Sequence, residues 1–196
     1  MRRLLPTVMT TLLATSAALI ASTGSAAAAS EAPRIGVGLV HAGGTFAEFA
    51  PGAAASTYDQ ALVPVGAQAR VVVSSRSFLG TTTLLSVRGL VPDREYGAHA
   101  HTKPCGATGD AAGPHFQHEQ DPVTPSVDPA YANPDNEIWL DLTTDAVGNA
   151  VAVSTVDWGF DERRAMSVVI HETHTHTDPG HAGMAGKRPA CVNVAF

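Results

Sequence analysis

Short runs rich in β-branched residues alternate along the chain with glycine, proline and charged residues. Five runs are ARVVVSS, TTTLLSVRGL, NAVAVSTVDW, MSVVIHE and PACVNVAF. β-Branched residues favour strands, and the residues between the runs mark turns. We predict strands over these runs, over REYGAHAHT at 94–102 and over EIWLDLTTD at 137–145. No stretch has a sustained helical period, so the pattern predicts an all-β sandwich or small barrel with antiparallel neighbours.

Two loops interrupt this pattern. Residues 103–135 contain six prolines, several aspartates and glycines, and no hydrophobic period. Loops of this length inside a compact domain are usually functional. A second, shorter loop follows His171 and is rich in histidine. The sequence therefore predicts one long loop before the second half of the fold and a short His-rich late loop near its end.

The N-terminus has the pattern of a signal peptide. Arg2 and Arg3 precede an apolar run, and small residues follow it up to Ala29. The apolar run is too short for a membrane-spanning helix. We predict a signal peptide at 1–29, a partly mobile N-terminal segment at 30–56 with a short strand around IGVGLVHAG, and a folded domain at 57–196. The expected location is secreted, with no membrane attachment after cleavage.

Charge and cysteine content narrow the function classes. Removal of residues 1–29 leaves 10 basic and 18 acidic side chains, a net charge of −8, which argues against a nucleic-acid partner. Cys105 and Cys191 are the two cysteines, and in an oxidising compartment we expect them to pair. The chain-entropy estimate for a loop of this length is roughly 4 kcal/mol. Two free buried thiols remain the alternative.

His99 and His101 are the first candidate metal ligands. Side chains alternate along a strand, so both imidazoles project from one face, about 7 Å apart. Two such imidazoles can converge on one ion, although two surface histidines have the same spacing. His115 in the long loop and His171 at a strand end extend the set to four. Four neutral imidazoles suit copper above all. Spacing alone leaves open whether the four meet.

The motifs HAHTKPC, GPHFQ, VVIHE and GMAGKRPAC resemble, in order and context, those of the copper-zinc superoxide dismutase family. The family pattern has His-x-His on a strand, a bridging histidine in the next loop and a fourth at the end of a late strand. It closes on Gly-x-Ala-Gly-x-Arg-x-Ala-Cys. The resemblance covers roughly residues 57–196. It implies a Greek-key β-barrel or sandwich of about eight antiparallel strands, with copper as cofactor and superoxide as substrate.

The resemblance also assigns residues. It implies that His99, His101, His115 and His171 bind copper, and that Cys105 and Cys191 form the intrasubunit disulfide. Arg188 matches the active-site arginine, whose rigid fork of donors would attract and orient the superoxide anion. The alternative for Arg188 is a surface side chain paired with an acid. In the family pattern His115 can also leave Cu(I), take up a proton and return.

The chain departs from the family at the zinc site. Only His118 follows His115 closely, and the loop exit reads NPDNEIWLD, so a second zinc histidine is missing. A zinc site built from His118 and loop carboxylates stays open, but we favour a copper-only secreted member with a degenerate zinc site. Another side chain must then orient His115. Glu137 is our first candidate, followed by Asp135 and Asp141. The alternative is an exposed acid at a strand end.

The late loop is shorter than in the better-known family members, whose loop carries charges that steer superoxide. Its His174, His176 and His181 are either solvated or a weak copper-capture site, and His41 is expected to be solvated.

The leading interpretation is a secreted copper-dependent superoxide dismutase. The alternative is an extracellular copper-binding or buffering protein on the same fold with little turnover. The sequence assigns no oligomeric state.

Overall fold

The computed structural model describes residues 38–76 and 78–196. The predicted signal peptide and residues 30–37 lie outside this part. A short 3₁₀ helix spans Gly109–Ala112. The strands of the described part are β1 (Gly38–Thr45), β2 (Ala47–Glu48), β3 (Ala55–Thr57), β4 (Gln68–Arg76), β5 (Gly80–Arg88), β6 (Glu95–Tyr96), β7 (Ala98–His101), β8 (Leu142–Thr143), β9 (Ala150–Val156), β10 (Ser167–Ile170) and β11 (Ala190–Asn193). The prediction of an all-β fold is confirmed.

The first sheet has the order β1-β4-β5-β9 and is antiparallel throughout. Buried and exposed positions alternate along β4, β5 and β9, as expected when one face meets the core and the other meets water. Val71, Val73, Leu85 and Val87 are fully buried apolar members of this pattern, and Thr81 and Thr83 of β5 are fully buried as well. Strand β1 pairs along its whole length with β4, so this sheet begins before residue 57.

The second sheet has the order β2-β3-β11-β10-β7, and β6 pairs separately with β8. Every residue of β7 and β10 is buried, so this sheet is covered on both faces at that edge. Ala98 and Ala100 of β7 pack into the main hydrophobic core. Because side chains alternate, His99 and His101 face the opposite side, which is closed by the loops.

Two predicted strands differ from the observed ones. The run 94–102 is divided at Gly97, where a Cβ would lie 2.6 Å from the carbonyl oxygen of Thr173, so the late loop can pack there only against glycine. Of the run 137–145, only Leu142–Thr143 forms a regular strand. Its earlier part pairs with β7 through the backbone bonds Leu140 N to Ala98 O and Ala100 N to Ile138 O.

The long loop is fixed to the second sheet at its start. Cys105 and Cys191 form a disulfide that links the loop to β11, as predicted. The amide of Cys105 also donates to Asn193 Oδ1 at 2.9 Å. Among the described residues, no helix has both the length and the apolar character needed to span a bilayer.

Candidate metal centre

Four histidines from three elements meet beneath the loops. His99 and His101 come from β7, with ring centroids 6.5 Å apart, close to the predicted spacing. His115 reaches them from the long loop, where it forms an isolated bridge with His101. His171 directly follows β10, which is paired with β7. The structure therefore brings together the four histidines that the sequence singled out as ligands.

The spacing of these side chains suits a single ion. One nitrogen from each of the four rings lies within 4.8 Å of the others. Two nitrogens that each lie about 2.0 Å from one ion are separated by about 2.8 Å at right angles and about 4.0 Å across it. The Nε2 atoms of His101 and His171 are 3.2 Å apart, inside that range. His99, His101 and His171 are buried, and His115 is partly exposed.

Hydrogen bonds determine which nitrogen each ring can offer. His101 Nδ1 donates to the carbonyl of Gly113 at 2.9 Å, which leaves its Nε2 for a metal. His99 Nε2 contacts Thr175 Oγ1 at 2.6 Å. The Nδ1 of His171 is buried without a partner among the described residues, but its Nε2 is the atom that faces His101. The buried Nδ1 of His99 likewise has no partner there, and it is the nitrogen left for a metal. A buried imidazole nitrogen without a partner is costly, and a bound cation would satisfy it.

The electrostatics of the cluster also suit metal binding. Burial, followed by the neighbouring imidazoles and Arg188, lowers the pKa of His99, His101 and His171 well below the ordinary value for histidine. These rings are therefore neutral at physiological pH. A neutral imidazole is the form that binds a metal ion.

Glu137 lies behind His115 and is 1% exposed. Its Oε2 accepts hydrogen bonds from His115 Nδ1 and Trp139 Nε1, both at 2.7 Å. Its Oε1 accepts one from Gln117 Nε2 at 2.8 Å. The contact with His115 is the one predicted, whereas the two supporting donors were not found from sequence. Because Nδ1 of His115 faces the carboxylate, its Nε2 is left for the cluster.

A second chain of contacts, not anticipated from sequence, holds His99. The hydroxyl of Thr175 accepts from His99 Nε2 and donates to Asp141 Oδ1 at 2.7 Å, and the Thr175 amide donates to Asp141 Oδ2 at 2.8 Å. Asp141 was a lower-ranked candidate for orienting His115, but it acts on His99 through Thr175. Asp135, the other lower-ranked candidate, does not hold His115, because Glu137 Oε2 occupies His115 Nδ1; the backbone carbonyl of Asp135 accepts from Trp158 Nε1. Thr175 lies 76 residues from His99, and no local motif marks it.

Arg188 shares an open cavity with the cluster. The cavity has a volume of about 660 Å³, and its lining includes His115, His171, Lys187 and Arg188. Arg188 Nη1 donates to the carbonyl of Gly113 at 2.7 Å, the same oxygen that receives His101 Nδ1. Its Nε lies 3.8 Å from the exposed Asp110 carboxylate. Burial lowers the pKa of Arg188 from its ordinary value, but a guanidinium stays charged in proteins.

The other histidines lie outside the cluster. His118 is exposed, and its ring stacks on Trp158 with centroids 4.9 Å apart. The structure therefore does not bring His118 to His115 to share a zinc ion. His174 Nε2 donates to the carbonyl of Leu142 at 3.1 Å. His41 is exposed on β1, 3.4 Å from an Arg70 nitrogen.

The fold and the cluster together define an all-β protein with a four-histidine site. A mutant of a SOD-like protein from Bacillus subtilis matches with a TM-score of 0.50 at 17% identity, over 65% of this chain and 90% of that one. A double mutant of a SOD-like protein from the same organism gives 0.49 at 18% identity, over 65% and 88%. At this identity the first likeness shows the fold alone. No protein-family model matches the chain, and no curated protein matches it either.

Proposed function

We propose that this protein is a copper-dependent superoxide dismutase, which converts superoxide to dioxygen and hydrogen peroxide. One observation carries the proposal: four mostly buried imidazoles meet beside a cavity that two of them, His115 and His171, line together with a partly buried cationic side chain, Arg188. A small anion can enter such a cavity, and a metal held by imidazoles can exchange electrons with it. The resemblance of the closing GMAGKRPAC motif supports the same function.

Copper fits the donor set better than other common metals. Imidazoles bind copper, zinc and iron, and copper stands highest among divalent first-row metals in affinity for such a site. The cluster supplies nitrogen donors and no carboxylate or thiolate ligand. When bound, copper would alternate between Cu(II) and Cu(I), accepting an electron from one superoxide ion and returning it to the next.

Arg188 would bind and orient the anion. Its Nη1 is tied to Gly113 O, so part of the guanidinium is fixed while the remaining donors are available to a substrate. Lys187 lines the same cavity and adds positive charge in a chain whose net charge is −6. Local positive potential raises the arrival rate of an anion in spite of an unfavourable overall charge.

His115 would supply one of the two protons needed to form hydrogen peroxide. It is the most exposed of the four histidines, and it lines the cavity that substrate would enter. The Glu137 carboxylate can stabilise the ring when it carries protons on both nitrogens.

Because that carboxylate occupies the side of His115 opposite the cluster, we also propose a copper-only centre. Residues 1–29 are proposed to direct secretion.

Substitution of Arg188 tests this proposal. Arg188→Glu should lower the rate of superoxide decay per bound copper and reverse its salt dependence, because the cavity becomes repulsive to anions. Arg188→Lys should keep part of the rate. Arg88→Glu at the exposed end of β5 in the first sheet makes the same change in net charge and should leave the rate nearly unchanged. Tight copper binding with no turnover in the unmodified protein would instead indicate the copper-buffering function.

A further inference from the structure

The late loop carries a second group of metal-binding side chains outside the buried cluster. His181 Nδ1 lies 2.9 Å from Asp178 Oδ2, and His176 Nδ1 lies 3.7 Å from Asp178 Oδ1. The two imidazoles thus approach the two oxygens of one carboxylate, with ring centroids 6.4 Å apart. All three side chains are more than half exposed. Small rotations of exposed side chains are sufficient to close them around an ion.

The backbone holds this group in place. The segment folds back on itself, with His176 N donating to Met184 O at 2.8 Å and Met184 N donating to His181 O at 2.9 Å. Gly180 makes the turn at a φ of +84°, which favours glycine. His176 and His181 are therefore brought to the same end of the loop by main-chain contacts that do not depend on a metal.

We propose that His176, Asp178 and His181 form a second, solvent-exposed site for a borderline divalent cation, with copper(II) preferred. Two imidazoles and one carboxylate are typical ligands for copper(II) and zinc, and copper binds such a set more tightly. The Asp178 carboxylate already lies between the rings of His176 and His181. A bound cation would replace the two histidine–carboxylate contacts by direct coordination to all three side chains.

The position of this loop site suggests what it does. The returning segment of the loop, including Gly183, Met184 and Lys187, lines the cavity that opens onto the buried histidines. The loop site would collect copper at the mouth of the cavity before it reaches the buried cluster. This role rests on the proposed function of the cluster, whereas the existence of the loop site does not.

Copper titration of metal-free protein against a competing chelator tests the loop site. We expect two copper ions per chain in the unmodified protein and one in each of His176→Asn, Asp178→Asn and His181→Asn. His118→Asn removes an exposed histidine elsewhere and should still bind two. The loop site is overturned if the unmodified protein binds one ion per chain and all three loop variants still bind it. It is also overturned if all three loop variants bind two ions per chain. If the unmodified protein binds one ion and the loop variants bind none, the loop site is supported and the buried copper site is contradicted.

The collecting role has its own measurement. When one equivalent of copper(II) is mixed with metal-free protein, the visible absorption of the four-nitrogen centre should develop more slowly in the three loop variants than in the unmodified protein. The His118→Asn variant should develop at the unmodified rate. Equal rates in all five proteins would refute the collecting role.

Discussion

Glu137 offers a sharp test, because one buried carboxylate serves three donors. Substitution of Glu137 by glutamine keeps the shape of the side chain and replaces one acceptor oxygen by an NH₂ group. If the NH₂ takes the place of Oε2, it faces the N–H groups of His115 and Trp139. If it takes the place of Oε1, it faces Gln117 Nε2, whose amide cannot turn without losing the bond from Asp121 N. Neither orientation satisfies every donor.

The size of the effect follows from these contacts. A buried donor left without a partner costs about 1–3 kcal/mol, and the bond that remains to His115 loses its charge assistance. If this cost falls on the metal-bound form, copper affinity drops by roughly 5- to 150-fold. Loss of a partner behind a metal-binding histidine typically lowers metal affinity by about 10- to 100-fold. We therefore expect a decrease of about 10- to 100-fold in copper affinity for Glu137→Gln.

Competition titration with a copper chelator measures this change. Glu172→Gln is the matched control, because Glu172 lines the same cavity and its Oε2 accepts only a long 3.3 Å bond from Lys187 N. That variant removes the same charge without touching a histidine of the cluster. An equal decrease in both variants would show that the charge of the cavity matters and that Glu137 does not position His115.

Three further predictions concern other contacts. Thr175→Val removes the hydroxyl between His99 and Asp141 and should lower copper affinity by about 10- to 100-fold, whereas Thr175→Ser should not; equal affinities would refute this role. Replacing Cys105 and Cys191 by serine opens a link across 86 residues and should lower the free energy of unfolding in urea by about 4–5 kcal/mol; a loss near zero would contradict the chain-entropy estimate. The metal-free protein should lose stability as pH falls below about 6.5. The reason is that the unfolded chain takes up protons on its histidines, whereas burial lowers the pKa of His99, His101 and His171 in the folded state. Equal unfolding free energies at about pH 7.5 and about pH 5.5 would contradict this.

Strand periodicity explains how much of the centre was predictable. The two-residue spacing of His99 and His101 was enough to place both rings on one face, because alternation follows directly from strand geometry. The same alternation holds along 137–142, where Ile138, Leu140 and Leu142 are in the core while Glu137 faces the cluster. The alternation persists there even though most of this run pairs only through single bridges.

Contacts made by distant loops were not predictable. Thr175 reaches His99 only because the late loop packs over Gly97, and neither residue carries a local signal of that contact. Alternation places Trp139 on the same face as Glu137, but its hydrogen bond to Glu137 also depends on side-chain rotamers that periodicity does not fix. His118 lies three residues from a predicted ligand, yet stacking on Trp158 keeps it outside the cluster.

The decay of superoxide is the most direct test of the central claim. The protein should be loaded with one copper per chain and mixed rapidly with superoxide, and the decay followed by ultraviolet absorption. We predict a rate that rises in proportion to the concentration of copper-loaded protein and disappears when the copper is removed. Decay no faster with tightly bound copper than with the metal-free protein would contradict the proposed function, even though the fold and the four-histidine cluster would remain.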